Sequence, residues 1–228
     1  MTMTSISRSD VVRKIEASGV VAVVRLTDPG VGEDVARALV AGGVDVIEIT
    51  MTVPRATELI ATLVRALPAS TLIGAGTVTD ADTARAVIDA GAKFVVSPVY
   101  RPRMVEACHE RGVAAMPGCF SPTEILAAWD QGADLIKMFP ATSLGPSFIK
   151  DLRGPFPSIK LLPTGGVSRD NAGDWIRAGA VAIGVGSALV DAKAVAARRF
   201  DDITATARAF ADAVRGARSP FAKPAGDR

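Results

Sequence analysis

Gly42-Gly43-Val44-Asp45-Val46-Ile47-Glu48-Ile49-Thr50 joins two kinds of structure within one short stretch. The glycines are suited to end a helix, because glycine takes the left-handed conformation without a Cβ penalty, and a β-branched apolar run follows immediately. The same joint recurs at Gly19-Val20, Gly91-Ala92, Gly112-Val113, Gly132-Ala133 and Gly179-Ala180. The spacing is about 20 to 24 residues, or about twice that where Pro68 or the Gly154-Pro155 turn supplies the missing joint. Eight short apolar runs result, at 20–25, 44–50, 71–75, 93–97, 113–117, 134–139, 160–163 and 181–185. Helix-like segments at 32–41, 55–67, 81–90, 101–111 and 122–131 alternate with them. Helix starts are signalled by Thr79-Asp80, by Ser121-Pro122 with Glu124, and by Ser168 before Asp170.

Apolar strands alternating with helices predict parallel pairing with both sheet faces covered. A closed (β/α)8 barrel and an open doubly wound sheet both satisfy that pattern, and the count of eight with this chain length favours the barrel. An additional helix near 9–18 precedes the first strand and is expected to plug the barrel's bottom. No linker or charge run divides residues 1–228, so one domain is expected, with a loose tail at about 217–228 that holds Pro220, Pro224 and Gly226.

The composition narrows the function classes. The chain has 228 residues, 49% hydrophobic and only 5% aromatic, which predicts an aliphatic core. Its 26 Lys and Arg against 24 Asp and Glu leave a net charge of +2, too small for a nucleic-acid surface. Two cysteines rule out a disulfide framework, and the single histidine, His109, rules out a multi-histidine zinc site within one chain, so no metal is expected; the Gly184-Val185-Gly186-Ser187 order is not a dinucleotide fingerprint, and no cofactor is expected either. No run is long and apolar enough for a membrane span, and the polar stretch 1–10 lacks an apolar signal core, so a cytoplasmic location is expected.

Charged residues inside such strands need a reason, since a dry barrel penalises them. Arg25, Glu48 and Lys137 fall near the C-terminal ends of their runs, where barrel active sites lie. Asp45, Lys93, Asp134 and Lys160 fall at strand starts, where solvated or salt-bridged structural roles are expected. Lys137, between Ile136 and Met138, would lose hydration, and a nearby Arg25 would further disfavour its cation; a neutral amine forms Schiff bases with carbonyls. Glu48 is the matching proton carrier. His109 reads as an exposed helical residue, and Cys108 and Cys119, which lack an activating His motif, as core packing or incidental exposure.

Two glycine turns follow the last two strands, Pro163-Thr164-Gly165-Gly166-Val167 and Gly184-Val185-Gly186-Ser187. Their small residues and backbone N–H groups suit an anion such as phosphate at a common barrel site. Gly74-Ala75-Gly76-Thr77 is a further close-approach turn, with the Thr77 hydroxyl available to a carboxylate.

The motifs GGVDVIEIT (42–50), IGAGTV (73–78), SP (97–98), PG (117–118), IKMFPA (136–141), GPFP (154–157), PTGGV (163–167) and GVGSALV (184–190) closely resemble the bacterial 2-keto-3-deoxy-6-phosphogluconate (KDPG) and 4-hydroxy-2-oxoglutarate (KHG) aldolases over about residues 9 to 215. The resemblance implies a metal-free class I aldolase on a (β/α)8 barrel, a homotrimer, acting on a phosphorylated 2-keto-3-deoxy sugar acid with pyruvate as a product. It implies Lys137 as the Schiff-base lysine and Glu48 as the general acid/base. It also implies Thr77 as carboxylate ligand, Pro98 and Phe139 as pyruvyl-pocket walls, and Thr164, Gly165, Gly166, Gly186 and Ser187 as the phosphate end. Some members carry an arginine four residues after the glutamate, where this chain has Thr52, and others an arginine at the end of the first strand, as Arg25; the carboxylate-facing guanidinium is therefore assigned to Arg25.

The 6-phosphogalactonate aldolases share that strand-one arginine and are the alternative within this chemistry. A phosphosugar isomerase or epimerase would need no amine nucleophile. A non-catalytic phosphosugar-binding barrel would keep the glycine turns and have no use for a desolvated Lys137.

Overall fold

The structure, a computed structural model, describes residues 6–218. Its strands are β1 (Val20–Val24), β2 (Val46–Thr50), β3 (Leu72–Gly76), β4 (Phe94–Val96), β5 (Ala114–Met116), β6 (Gly118–Cys119), β7 (Ile136–Met138), β8 (Leu161–Pro163) and β9 (Ile183–Val185). The helices are α1 (Arg8–Ser18), α2 (Gly32–Ala41), α3 (Ala56–Ala66), α4 (Ala81–Asp89), α5 (Pro102–Glu110), α6 (Pro122–Asp130), α7 (Gly145–Arg153), α8 (Ala172–Ala178), α9 (Ala192–Ala196) and α10 (Phe200–Arg218).

All strand pairs are parallel, and β1 lies between β2 and β9, so the first and last strands are neighbours. The expected fifth strand, 113–117, is divided into β5 and β6 because Pro117 has no N–H for the ladder. The barrel wall nevertheless continues there: Asp134 N donates to Ala115 O (3.0 Å) and Lys137 N to Pro117 O (3.0 Å). The Thr164–Gly184 bridge and the Val181 N to Leu161 O bond (3.0 Å) join β8 to β9 and close the barrel. An open doubly wound sheet would leave β1 and β9 apart.

Strand side chains alternate between two cores, as period two requires. Ile47, Ile49, Ile136 and Met138 face outward into the apolar layer shared with the helices. Val21, Val46, Leu72, Phe94, Met116, Leu135 and Leu162 point inward, and Val11, Val12 and Ile15 of α1 pack into the same inner cluster. The expected bottom plug is therefore present. It is fastened by charge at the strand starts: Arg8 to Asp134 (3.0 Å), Glu16 to Lys160 (2.8 Å), and Lys14 to Asp45. Lys93, the fourth rim charge, makes no ion pair among the described residues.

Local signals are mostly obeyed. Gly19, at φ 72°, caps α1 and returns its N–H to Ile15 O. Asp80 caps α4, and Ser121 with Glu124 forms a capping box on α6. Ser168 does not start a helix; α8 begins at Ala172, after Asn171, whose Oδ1 accepts from Ser168 N (2.8 Å). The expected tail begins too early, since α10 remains helical through Arg218, where the guanidinium donates to Ala17 O and Val181 O; the rest of the tail lies outside the described residues.

Candidate active site

Lys137 and Glu48 are inward-facing residues of β7 and β2, and the barrel brings them together. Their side chains are 3% and 2% exposed, with Lys137 Nζ 3.9 Å from Glu48 Oε1. That separation pairs their charges without a hydrogen bond, and Oε1 has no hydrogen-bond partner among the described residues. Two residues further along the chain, the half-buried Phe139 holds its ring centroid 5.1 Å from Lys137 Nζ. An apolar face thus lies beside the amine, where the methyl end of a small keto acid can pack.

Neighbouring strands give up side-chain volume to make this site. On β3, a Cβ on Gly76 would lie 2.6 Å from Glu48 Cγ, and one on Gly74 would overlap the Phe94 ring. On β6, a Cβ on Gly118 would lie 2.7 Å from Ser97 O and closer still to the Pro98 backbone. Pro98 is half-buried, and the adjoining Ser97 is fully buried, its Oγ accepting from Val99 N (3.3 Å). Thr77, half-buried directly after Gly76, has φ 61°. This is an uncommon conformation for a β-branched residue, and it ends the inward–outward alternation of β3 at the mouth.

The two glycine turns meet through the β8–β9 bridge. Thr164 is buried, its Oγ1 has no hydrogen-bond partner among the described residues, and a Cβ on Gly184 would overlap that oxygen. Gly165 and Gly166 are consecutive left-handed residues, φ 93° and 71°, and a Cβ on Gly165 would lie 3.7 Å from the Phe139 ring. Gly186 is half-buried and Ser187 exposed. The following helix, α8, starts six residues after Gly166, so backbone turns rather than a helix end border this part of the mouth.

Arg25 departs from expectation. The strand ends at Val24, and Arg25 is exposed beyond it, outside the buried pair. A Cβ on Gly186 would lie 3.3 Å from Arg25 Nη1, so the guanidinium borders the last turn. His109 also differs: it is half-buried, with Nε2 3.2 Å from Asp134 Oδ2. Cys108 and Cys119 are buried, and burial is the main cause that pushes both thiols up to about 12.

Sequence reading missed the Thr50–Thr52 hydroxyl pair (2.7 Å), with Thr50 Oγ1 also donating to Val24 O (3.1 Å). It also missed Thr142, whose Oγ1 would lie 2.7 Å from a Cβ on Gly166. The threonine alternation in Thr50-Met51-Thr52 carried a signal for the first; Thr142 lies in a single 3-10 turn, Ala141–Ser143, too short for a periodicity to mark it. Among the described residues, no three His, Cys, Asp or Glu side chains gather where they could hold a metal ion.

A parallel eight-position barrel with a desolvated lysine and carboxylate at the C-terminal ends of its strands defines a class, the barrel lyases of the Schiff-base type. The family model for KDPG and KHG aldolase matches residues 11–206. The chain belongs to the KDPG and KHG aldolase family. It is 37% identical over 192 residues to 2-dehydro-3-deoxy-phosphogluconate aldolase of Treponema pallidum, covering 84% of this chain and 91% of that one. It is 38% identical over 170 residues to a probable 2-dehydro-3-deoxy-6-phosphogalactonate aldolase of Rhizobium meliloti, covering 74% and 80%. Among solved structures, KDPG aldolase from Legionella pneumophila, with pyruvate captured as a covalent carbinolamine, superposes with a TM-score of 0.83 at 29% identity, over 91% of this chain and 99% of that one.

Proposed function

We propose that this protein is a class I aldolase that reversibly cleaves 2-keto-3-deoxy-6-phosphogluconate to pyruvate and glyceraldehyde 3-phosphate. It also accepts 4-hydroxy-2-oxoglutarate, which gives pyruvate and glyoxylate. The observation that carries the reading is the buried pair, Lys137 Nζ 3.9 Å from Glu48 Oε1.

In this reading the Lys137 amine adds to the C2 carbonyl, and the carbinolamine loses water to give an iminium. Glu48 takes the proton of the C4 hydroxyl as the C3–C4 bond breaks. The bonding pair moves toward the iminium and forms an enamine, while C4 leaves as the aldehyde. Glu48 returns a proton to C3, and water releases pyruvate and the free lysine. Thr77 and Arg25 bind the carboxylate, Pro98 and Phe139 wall the pyruvyl group, and Thr164, Gly165, Gly166, Gly186 and Ser187 take the phosphate. Phe139 supports this arrangement by bordering both the amine and the Gly165 turn.

A non-catalytic binding barrel has no use for the buried pair. The galactonate-derived epimer is the second reading, favoured by Arg25 beyond β1 and by the Rhizobium meliloti relative. The chain acts as one domain, assembles as a homotrimer, works in the cytoplasm and needs no metal, nucleic acid or membrane partner. None of the described helices is long and apolar enough to cross a membrane.

Borohydride reduction in the presence of pyruvate tests the site. A pyruvyl adduct on Lys137 with loss of activity is expected; an adduct on Lys93, Lys150 or Lys160 would overturn it. Pyruvate release from the gluconate- and galactonate-derived substrates, assayed side by side, separates the two readings. Sedimentation gives the assembly state, and activity should survive EDTA.

A further inference from the structure

Glu48 reaches the amine of Lys137 across a neighbouring strand, and the side-chain volume it occupies is what Gly76 of β3 lacks. Register alone does not set this contact. Glu48 is paired across the ladder with Gly74, and Gly76 with Thr50. The glutamate side chain therefore leans one step toward the mouth and lies over the next inward glycine. A Cβ on Gly76 would lie 2.6 Å from Glu48 Cγ and closer to Cδ, and it would coincide most severely with Oε1. That same oxygen is 3.9 Å from Lys137 Nζ.

We infer that Gly76 is a positioning residue for catalysis: its missing side chain forms the seat that holds the Glu48 carboxylate toward Lys137. The inference rests on the proposed role of Glu48 in proton transfer. In glycine a hydrogen occupies the direction a Cβ would take, so a Cα–H of Gly76 points at Oε1. Such a contact is weaker than an N–H or O–H hydrogen bond, and it holds a carboxylate oxygen in place without committing it to an N–H or O–H donor. Oε1 accordingly has no hydrogen-bond partner among the described residues despite its burial, and it remains free to accept a substrate proton. A serine or threonine at residue 76 would both displace the carboxylate and offer a competing donor. Gly74, two residues earlier on the same face, serves a different neighbour: a Cβ there meets the Phe94 ring, and Phe94 belongs to the inner apolar cluster beneath the site. One strand thus has a catalytic seat and a packing seat, and they can be tested against each other.

Gly76→Ala should still form the pyruvyl–Lys137 adduct under borohydride, because the amine is untouched. It should lose roughly 10²-fold in kcat, and in exchange of pyruvate methyl protons with deuterated water, because the base is displaced. Glu48→Asp draws the carboxylate back from the seat, so Gly76→Ala/Glu48→Asp should turn over at least tenfold faster than the product of the two single effects allows. This coupling is one that a general packing defect would not produce. Gly74→Ala should lower thermal stability while leaving the ratio of exchange to adduct formation unchanged. A folded Gly76→Ala with wild-type exchange overturns the seat, as does strict additivity with Glu48→Asp. If Glu48→Gln itself turns over normally, the proton-transfer role of Glu48 fails, whatever Gly76→Ala does. Should Gly76→Ala not fold alone, folding and turnover of the double variant supports the seat, and failure of both variants to fold counts against it.

Discussion

Arg8 of α1 pairs at 3.0 Å with Asp134, which lies three residues before Lys137 on the approach to β7. Asp134 is a junction: its carboxylate also accepts from Ala115 N (2.9 Å) and lies 3.2 Å from His109 Nε2. The side chain is only 10% exposed, whereas Arg8 is 34% exposed. The bottom plug, the β5 edge and the foot of the lysine strand are tied at one carboxylate.

Asp134→Ala should therefore destabilise the fold by about 2–3 kcal/mol, because it strands the Ala115 N–H without its acceptor. Arg8→Ala, which removes a half-exposed partner, should cost less than about 1 kcal/mol. Urea unfolding of the two variants measures the contrast. KM for substrate should not move, since the site is at the other end of the barrel. Equal losses would show that the ion pair, rather than the buried acceptor, holds the junction.

Glu48→Gln keeps size and one acceptor while removing the titratable proton. Turnover should fall roughly 10²–10⁴-fold, with methyl-proton exchange falling alongside it and pyruvate adduct formation surviving. The variant should fold, since a neutral amide in a buried site carries less desolvation cost than a carboxylate. Near wild-type exchange in a folded variant would assign proton transfer to another group.

Cys108 and Cys119 should resist alkylation at pH 8 in the native protein and react, both of them, on unfolding. Burial holds each thiol at about 12, so neither presents thiolate at that pH. The folded pKa values lie above the unfolded ones, so this contribution to stability is complete below about pH 8.5 and declines as pH rises toward the folded values. Counting labelled thiols by mass before and after denaturation checks it.

The Glu124 carboxyl is held below the usual carboxylate range because the backbone N–H groups of Ser121 and Phe120 donate to it. A depressed folded pKa gives stability that is present above the unfolded value and lost as pH falls through the folded one. Glu124→Gln should thus flatten the stability loss below about pH 5. Ser121→Ala, which breaks the other half of the box, should cost about 1 kcal/mol at neutral pH. Thermal melts across pH 3 to 7 compare them. A Glu124→Gln melt curve parallel to wild type would remove the box from acid stability.

Much of this was legible in the linear chain because its causes are local. Glycine's freedom at positive φ marked the helix ends, and the period of two in Leu135-Ile136-Lys137-Met138 put one charge on the inner face of a buried strand. The same reasoning identified Glu48 and expected the plug helix and its charged rim. The rest depended on which strands become neighbours when the sheet closes. Gly43 and Gly76 are the same letter, yet one turns the backbone at φ 88° and the other makes room for a carboxylate on another strand. Asp134 and His109 are 25 residues apart, and nothing near either announces the contact. Arg25 reads like the third charge of a buried trio, but the hydrogen-bonded strand ends one residue earlier and leaves it exposed. Backbone sterics and side-chain period act within a few residues and can be read along the chain. Cross-strand volume, and the exact place where a strand leaves the wall, exist only once closure has set every strand against its two neighbours.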